Sequence, residues 1–135
     1  MAPQQMRTYQ LQGTSKDFSS LKQTTVSVPS LSSGQVLVQI KAASINARDV
    51  QIANGTYPPG ADPQGHVPLS DGAGQVVAVG DGVSKWKEGD RVIPIASQKH
   101  MKGLFDEDFF GSFLGCPLDG VLRDYAVFDE VRLHF

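Results

Sequence analysis

The sequence predicts a mostly-β fold, a partly open β-barrel with one or two short helices. Apolar residues recur at period two in several short runs, glycine- and proline-bearing turns separate those runs, and a helical period emerges at residues 44–55. Many short strands with tight turns and little helix favour a barrel over a bundle or a doubly wound sheet.

In chain order, residues 1–5 are polar and residues 6–11 alternate as an opening strand. Residues 13–20 form a polar turn. Leu21, Thr24, Val26 and Val28 mark a second extended segment that Pro29 ends, because proline cannot donate to a sheet ladder. Residues 35–43 alternate most clearly, and place Val36, Val38 and Ile40 on one core-facing side. Residues 44–55 suit a short helix through Ile45, Ala47, Val50, Ile52 and Ala53, with Ser44 or Asn46 as N-cap and Asn54-Gly55 as the stop. Pro58, Pro59, Gly60, Pro63 and Gly65 make residues 56–67 a loop.

Residues 68–95 organise the rest. Ser70-Asp71-Gly72 reads as a turn, Val76 to Val79 as a buried strand, Gly80-Asp81-Gly82 as its break, Glu88-Gly89-Asp90 as a second turn, and residues 91–95 as another strand. Trp86 is expected to cover the intervening turn. Residues 96–116 lack a clean period and collect Phe105, Phe109, Phe110 and Phe113, a long excursion with one helical turn. Residues 118–128 return to strand character.

Composition narrows the class. The 135 residues suit one domain over residues 1–135 and can bury a core. A net charge of −2 offers no basic surface for nucleic acid, and no apolar run approaches the ~20 residues of a membrane helix. The first residues lack a signal-peptide core, and the lone Cys116 suits a reducing compartment, so a cytoplasmic location is expected. Cys116 itself reads as a buried small hydrophobe, since no paired histidine motif accompanies it.

The motif Gly72, Gly74, Val76, Val79, Gly80, Gly82, Val83, followed by Gly89, Asp90, Arg91 and Val92, resembles the catalytic-domain signature of the medium-chain dehydrogenase/reductase superfamily. That superfamily holds the zinc alcohol dehydrogenases and their zinc-free quinone and enoyl reductase relatives. Pro117 to Leu122 with Tyr125 and Val127 resembles the strand that closes the family's barrel, so the resemblance runs over residues 35–128. It implies a GroES-like partly open barrel.

The resemblance raises zinc, and the residues argue against it. Zinc-dependent relatives carry a cysteine three residues before an aspartate, and a Gly-His-Glu; here Asn46 precedes Asp49, and Leu69-Ser70-Asp71 replaces Gly-His-Glu. A structural zinc needs about four Cys or His ligands, and residues 96–116 offer only His100 and Cys116. His66 and His134 read as surface or loop residues, and no metal is expected.

A nicotinamide cofactor is expected to be absent from this chain too. Gly72-Ala73-Gly74-Gln75-Val76-Val77 begins like a dinucleotide loop, but it leads into a strand rather than a helix. In the family a separate doubly wound domain holds the coenzyme, so NADPH is expected only where such a domain completes the site. The 135 residues are expected to stop short of such a domain.

The candidate catalytic residues are Asn46, Asp49, Tyr57 and Asp71, with Arg48 and Tyr57 as substrate-binding residues. In the zinc-free relatives the matching Asn-x-x-Asp and the Gly-x-Tyr-Pro, here Gly55, Tyr57 and Pro58, line the substrate and nicotinamide pocket. An amide can hydrogen-bond a carbonyl, a phenol can donate to a developing enolate, and Arg48 can pair with Asp49 or an anionic substrate. The structural alternatives stand beside these roles. Asn46 can serve as a cap, Arg48 and Asp49 as a structural pair, Tyr57 as loop packing and Asp71 as a turn residue.

Three functions follow. The leading one is the substrate-side domain of a zinc-independent reductase, not competent for NAD(P)H redox alone. A cofactor-independent cyclase or isomerase could instead hold a small, polyketide-like substrate in the cleft, and a non-catalytic binding or assembly module is the third. Poorly covered apolar faces at Phe105 to Phe113 and at the terminal strand would favour a homodimer.

Overall fold

The computed structural model describes residues 2–57, 62–99 and 111–135. Their architecture is mostly β. An antiparallel hairpin of β1 (Gln5–Leu11) and β2 (Leu21–Ser27) packs beside a five-stranded sheet ordered β6-β3-β4-β5-β7. These last strands are β3 (Gln35–Ser44), β4 (Asp71–Val79), β5 (Arg91–Pro94), β6 (Tyr125–Asp129) and β7 (Leu133–His134). One α-helix, α1 (Ala47–Asn54), and one 3-10 turn (Glu130–Arg132) complete the elements, so the expected partly open barrel with short helices is what the chain forms.

β3 is an inner strand, paired by β6 on one edge and β4 on the other, and both of its faces are covered. Val36 and Val38 are fully buried in the main core with Val76, Trp86, Val92, Val121, Ala126 and Phe128. Ile40 packs at the margin of that core, as its place on the same face requires. Leu37, on the opposite face, is also buried, because the β1–β2 hairpin covers that side and brings Met6 against Leu37 and Tyr125. A third cluster of Leu11, Ile52, Ala53 and Cys116 seats α1.

Two expectations about strands and turns change. Asp71 and Gly72 are not a turn but the start of β4, with Asp71 opposite Ser44. The strand expected at 118–128 starts only at Tyr125. Upstream of it the chain pairs irregularly with 67–69 through Gly120 N–H to Val67 O, Val121 N–H to Leu69 O and Leu122 N–H to Pro68 O. A Cβ at Gly120 would meet the Leu69 oxygen at 2.1 Å, so only glycine permits that approach. Beyond β6, residues 130–134, for which the sequence suggested no element, add a 3-10 turn and β7 to the sheet. The helical turn expected within 96–116, and the faces of Phe105, Phe109 and Phe110, lie outside the described residues.

The loop between β4 and β5 is held at its start by residues 33–35 and further along by Glu130. Glu130 accepts backbone N–H bonds from Ser84 and Lys85, each at 2.9 Å, and its own carbonyl takes the Trp86 indole N–H at 2.7 Å. Trp86 is therefore a core residue rather than a cover, its ring tilted 57° against that of Phe135 at a centroid distance of 4.7 Å.

Candidate active site

The site is built where β3 gives way to α1. Asn46 is extended, with φ −111° and ψ 162°, and stands at the N-cap. Asp49, three residues on, returns its Oδ2 to the Asn46 backbone N–H at 2.8 Å, the acidic half of a capping box. At the other end Gly55, at φ 78°, terminates the helix in the left-handed region glycine favours. Of the two expected caps, Asn46 is used and Ser44 stays in β3.

The Asn46 side chain has a second partner. Its Nδ2 donates to Asp71 Oδ2 at 2.6 Å, tying the head of α1 to the first residue of β4. An ionised carboxylate only accepts, so this bond fixes the amide with its NH2 toward Asp71 and its Oδ1 turned away. Asp49 is buried, at 5% exposure, whereas Asp71 is exposed. Burial pushes the Asp49 carboxyl above the usual carboxylate range, and the nearby Asp71 charge adds to that; the Asn46 N–H and the Arg48 charge pull the other way. Asp49 Oδ1 is buried and receives no hydrogen bond of normal geometry among the described residues, although the Leu69 N–H lies near enough to this carboxylate to pull its pKa down as well.

Arg48 points elsewhere. Its guanidinium lies 5.3 Å from the Tyr57 ring centroid and 5.1 Å from that of Phe113, between two π faces that attract a cation. Its Nε donates to the Tyr57 hydroxyl at 3.4 Å, its Nη1 to the Leu114 carbonyl at 3.2 Å and its Nη2 to the Cys116 carbonyl. The fork thus joins α1 to the 113–116 segment. Because the Tyr57 oxygen accepts from Arg48, its own O–H is directed away from the guanidinium. Beneath it the Cys116 thiol is buried, and that burial pushes its pKa up, so it is held protonated as a small apolar group.

The residues singled out from sequence therefore fall into two bonded sets, Asn46 with Asp49 and Asp71, and Arg48 with Tyr57. Pro58 lies outside the described residues. Phe113 and the carbonyls of Leu114 and Cys116 were not singled out, and backbone acceptors leave no sequence signal by which to find them. Leu69 was missed as well. It stands where the zinc-dependent pattern has glycine, yet its φ is 73°, a conformation that a bulky residue adopts only under constraint.

The chain's residues do not fit a catalytic zinc. Where the zinc-dependent pattern has thiolate and imidazole stand Asn46 and Ser70, the Asn46 amide donates its N–H to Asp71, and among the described residues no group of three or more His, Cys, Asp or Glu is placed to hold a metal. Nor does α1 fit a pyrophosphate. The N-cap Asn46 N–H is already bonded to the chain's own Asp49 Oδ2, so an acidic side chain sits at the end of the helix where a phosphate would have to go.

The alcohol dehydrogenase GroES-like domain family matches residues 32–134. A zinc-type alcohol dehydrogenase-like protein of Schizosaccharomyces pombe is 40% identical over 112 residues, covering 82% of this chain and 32% of that protein. A chloroplastic quinone oxidoreductase of Triphysaria versicolor is 35% identical over 131 residues, covering 96% of this chain and 34% of its own length. A crystal structure from Sinorhizobium meliloti, described as a candidate alcohol dehydrogenase, superposes with a TM-score of 0.81 at 30% identity, over 98% of this chain and 39% of that one. The chain spans about a third of the length of these curated relatives.

Proposed function

This chain belongs to the alcohol dehydrogenase GroES-like domain family, and from that premise we propose that it is the substrate-holding part of a zinc-independent oxidoreductase acting on a carbonyl or a conjugated enone. The observation that supports the reading best is the Asn46–Asp71 bond, which puts a fixed amide where the zinc-dependent pattern needs a metal ligand. Carbonyl polarisation then falls to hydrogen-bond donors. Tyr57 supplies an O–H directed away from Arg48, and the guanidinium beside its ring stabilises negative charge developing on a substrate oxygen. Asn46 orients the substrate, and Asp49 or Asp71 is the group able to exchange a proton. The chemistry a reduced nicotinamide supplies in such an enzyme is a hydride, and its phosphates need a holder other than α1. The quinone oxidoreductase relative favours a substrate of this electrophilic kind.

The reading is tested with 2-cyclohexenone as probe. Titration followed by amide NMR should shift residues 46–57 and 71, and Tyr57→Phe or Asn46→Ala should each weaken binding by about tenfold, the effect of one hydrogen bond. An enone that leaves these amides unmoved would end the proposal. NADPH should bind this chain no tighter than about 10 μM, and elemental analysis after dialysis should return no stoichiometric zinc. Tight coenzyme binding or retained metal would contradict the residue roles given above.

A further inference from the structure

Arg123 carries a charge that the fold only half answers. Its side chain is 14% exposed, yet its guanidinium makes no hydrogen bond among the described residues. The nearest carboxylate oxygen, Asp119 Oδ2, stands 3.9 Å from Nη1, too far to accept one. Burial lowers the Arg123 pKa, and the Asp119 charge offsets only part of that. Nε is sealed from solvent, whereas the two Nη groups are not. Desolvating a cation is repaid only by hydrogen bonds and a well-placed counter-charge, so a guanidinium held in this way costs the fold stability. Such a group needs a reason of its own.

Arg123 and Asp119 line the same cleft, of about 270 Å³. Five of its nine lining residues are polar or charged, Gln35, Gln98, Asp119, Arg123 and Asp129, while Leu118 and Val127 give it an apolar side. Asp119 is held ready. Its Oδ1 takes the Val67 N–H at 3.0 Å and faces His66 Nδ1 at 3.6 Å, which leaves Oδ2 beside Arg123 Nη1. The segment between the two residues is fixed as well, because the N–H groups of Gly120, Val121 and Leu122 are bonded to carbonyls of residues 67–69 and the Leu122 carbonyl accepts from Tyr9. A charged donor and a charged acceptor thus stand side by side without bonding to each other.

We propose that this cleft binds a free α-amino acid with an apolar side chain, its carboxylate on the Arg123 Nη groups, its ammonium on Asp119 Oδ2 and its side chain over Leu118 and Val127. An α-amino acid carries both charges on one carbon, so it bridges two groups that stand 3.9 Å apart. A guanidinium matches a carboxylate with two parallel N–H bonds, and an ammonium has only donors to offer Asp119. Asp119 and Asp129 oppose a simple anion and Arg123 opposes a simple amine, whereas a zwitterion brings no net charge. A peptide terminus has only one of the two charges. The volume exceeds the ~150 Å³ of a cavity that accepts benzene, so a leucine-sized molecule fits. The cleft uses none of the Asn46, Asp49, Tyr57 or Asp71 side chains, and the proposal stands whether or not the chain takes part in hydride transfer.

The experiment is an amide NMR titration of the 135-residue chain with L-leucine and, in parallel, 4-methylpentanoate, which lacks the ammonium, and 3-methylbutylamine, which lacks the carboxylate. Leucine should saturate with shifts centred on residues 118–123 and 127–129, and each analogue should bind about tenfold more weakly for want of one charged hydrogen-bonding group. Arg123→Met separates binding from folding. It replaces a poorly satisfied buried cation by an apolar chain of similar length, so the thermal midpoint should hold or rise while leucine affinity falls at least about tenfold. Asp119→Asn keeps an acceptor for the Val67 N–H and should shrink leucine's advantage over 4-methylpentanoate to about threefold or less; were the Arg123 variant to unfold, this variant and the three probes still decide. Equal affinity for the three probes, shifts centred elsewhere, undiminished leucine binding by Arg123→Met, or no saturation below about 10 mM would overturn the proposal.

Discussion

In the sheet, Val36, Val38 and Ala126 are fully buried, apolar, and laddered between neighbouring strands; at the head of α1, Asp49 is nearly as buried, ionisable, and leaves one oxygen without a hydrogen bond of normal geometry. The sheet's strands obey local preference, with β-branched residues at the inward positions of β3 and β4. Around α1, Leu69 and Phe18 hold positive φ, and a guanidinium is fixed by two carbonyls and a phenol. Local rules that agree with the fold make a stable scaffold. Where they are broken together, the residues serve something other than stability.

Perturbing each side sharpens that contrast. Phe128→Ala, in the main core, should cost about 3–5 kcal/mol by urea denaturation, the loss typical of a buried aromatic, and should leave the affinity of the Asn46–Tyr57 site for 2-cyclohexenone unaltered. Arg48→Lys should cost less, about 1–3 kcal/mol, because an ammonium cannot reproduce the planar fork that meets Leu114, Cys116 and Tyr57 at once. If that exchange proved neutral, the Arg48 fork would not be fastening the 113–116 segment.

A smaller effect tests the buried carboxyl by its sign. The Asp49 pKa is raised in the folded chain, chiefly by burial, so between the ordinary aspartate value and the raised one the native state binds more protons than the unfolded state. Stability from this group therefore falls as pH rises through that window. Asp49→Asn keeps an acceptor for the Asn46 N–H, and should gain on wild type as pH is raised from about 3.5 to 7. A stability gap independent of pH would show that Asp49 does not titrate abnormally.

The smallest effect lies on the surface. Asp124, hydrogen-bonded by the Arg7 side chain at 3.0 and 3.2 Å, is held below the usual range, so its contribution is present above the ordinary aspartate pKa and lost as pH falls through the lowered one. Arg7→Ala should reduce that acid sensitivity slightly, and added salt should do much the same, since an exposed pair is screened.

Much of this was legible from residue order. The alternation in β3, the Asn46 cap and the Gly55 stop are local signals, and each was realised. The apolar Val121, Leu122 and Tyr125 suggested one strand, but Gly120 pressed against the 68–69 backbone keeps the first part of that run out of the ladder. Leu37 looked outward until a hairpin from the chain's beginning covered it. The partners of Arg48 are likewise distant, and two are peptide oxygens with no side-chain identity. Asp49 was chosen for its motif, whereas the cavity beside it depends on four segments, 11–21, 45–53, 68–69 and 122, that meet only in the fold.

The placement of β6 beside β3 has a consequence for synthesis of the chain. β3 is complete at Ser44, yet the strand that closes its second edge is not made until Tyr125–Asp129, a delay of several seconds at about 5–20 residues per second. Through that interval a strand rich in valine and leucine offers an unpaired edge to any neighbouring nascent chain. The sequence sets a lysine there. Lys41 sits at the register shift between Ile40 and Ala42, exposed, and beyond the reach of β6, which pairs only with Gln35 to Gln39. The register shift lies on the β4 side, but the charge stands just beyond the Gln35–Gln39 edge, and a lysine beside an open edge disfavours strand addition while β6 is still unmade.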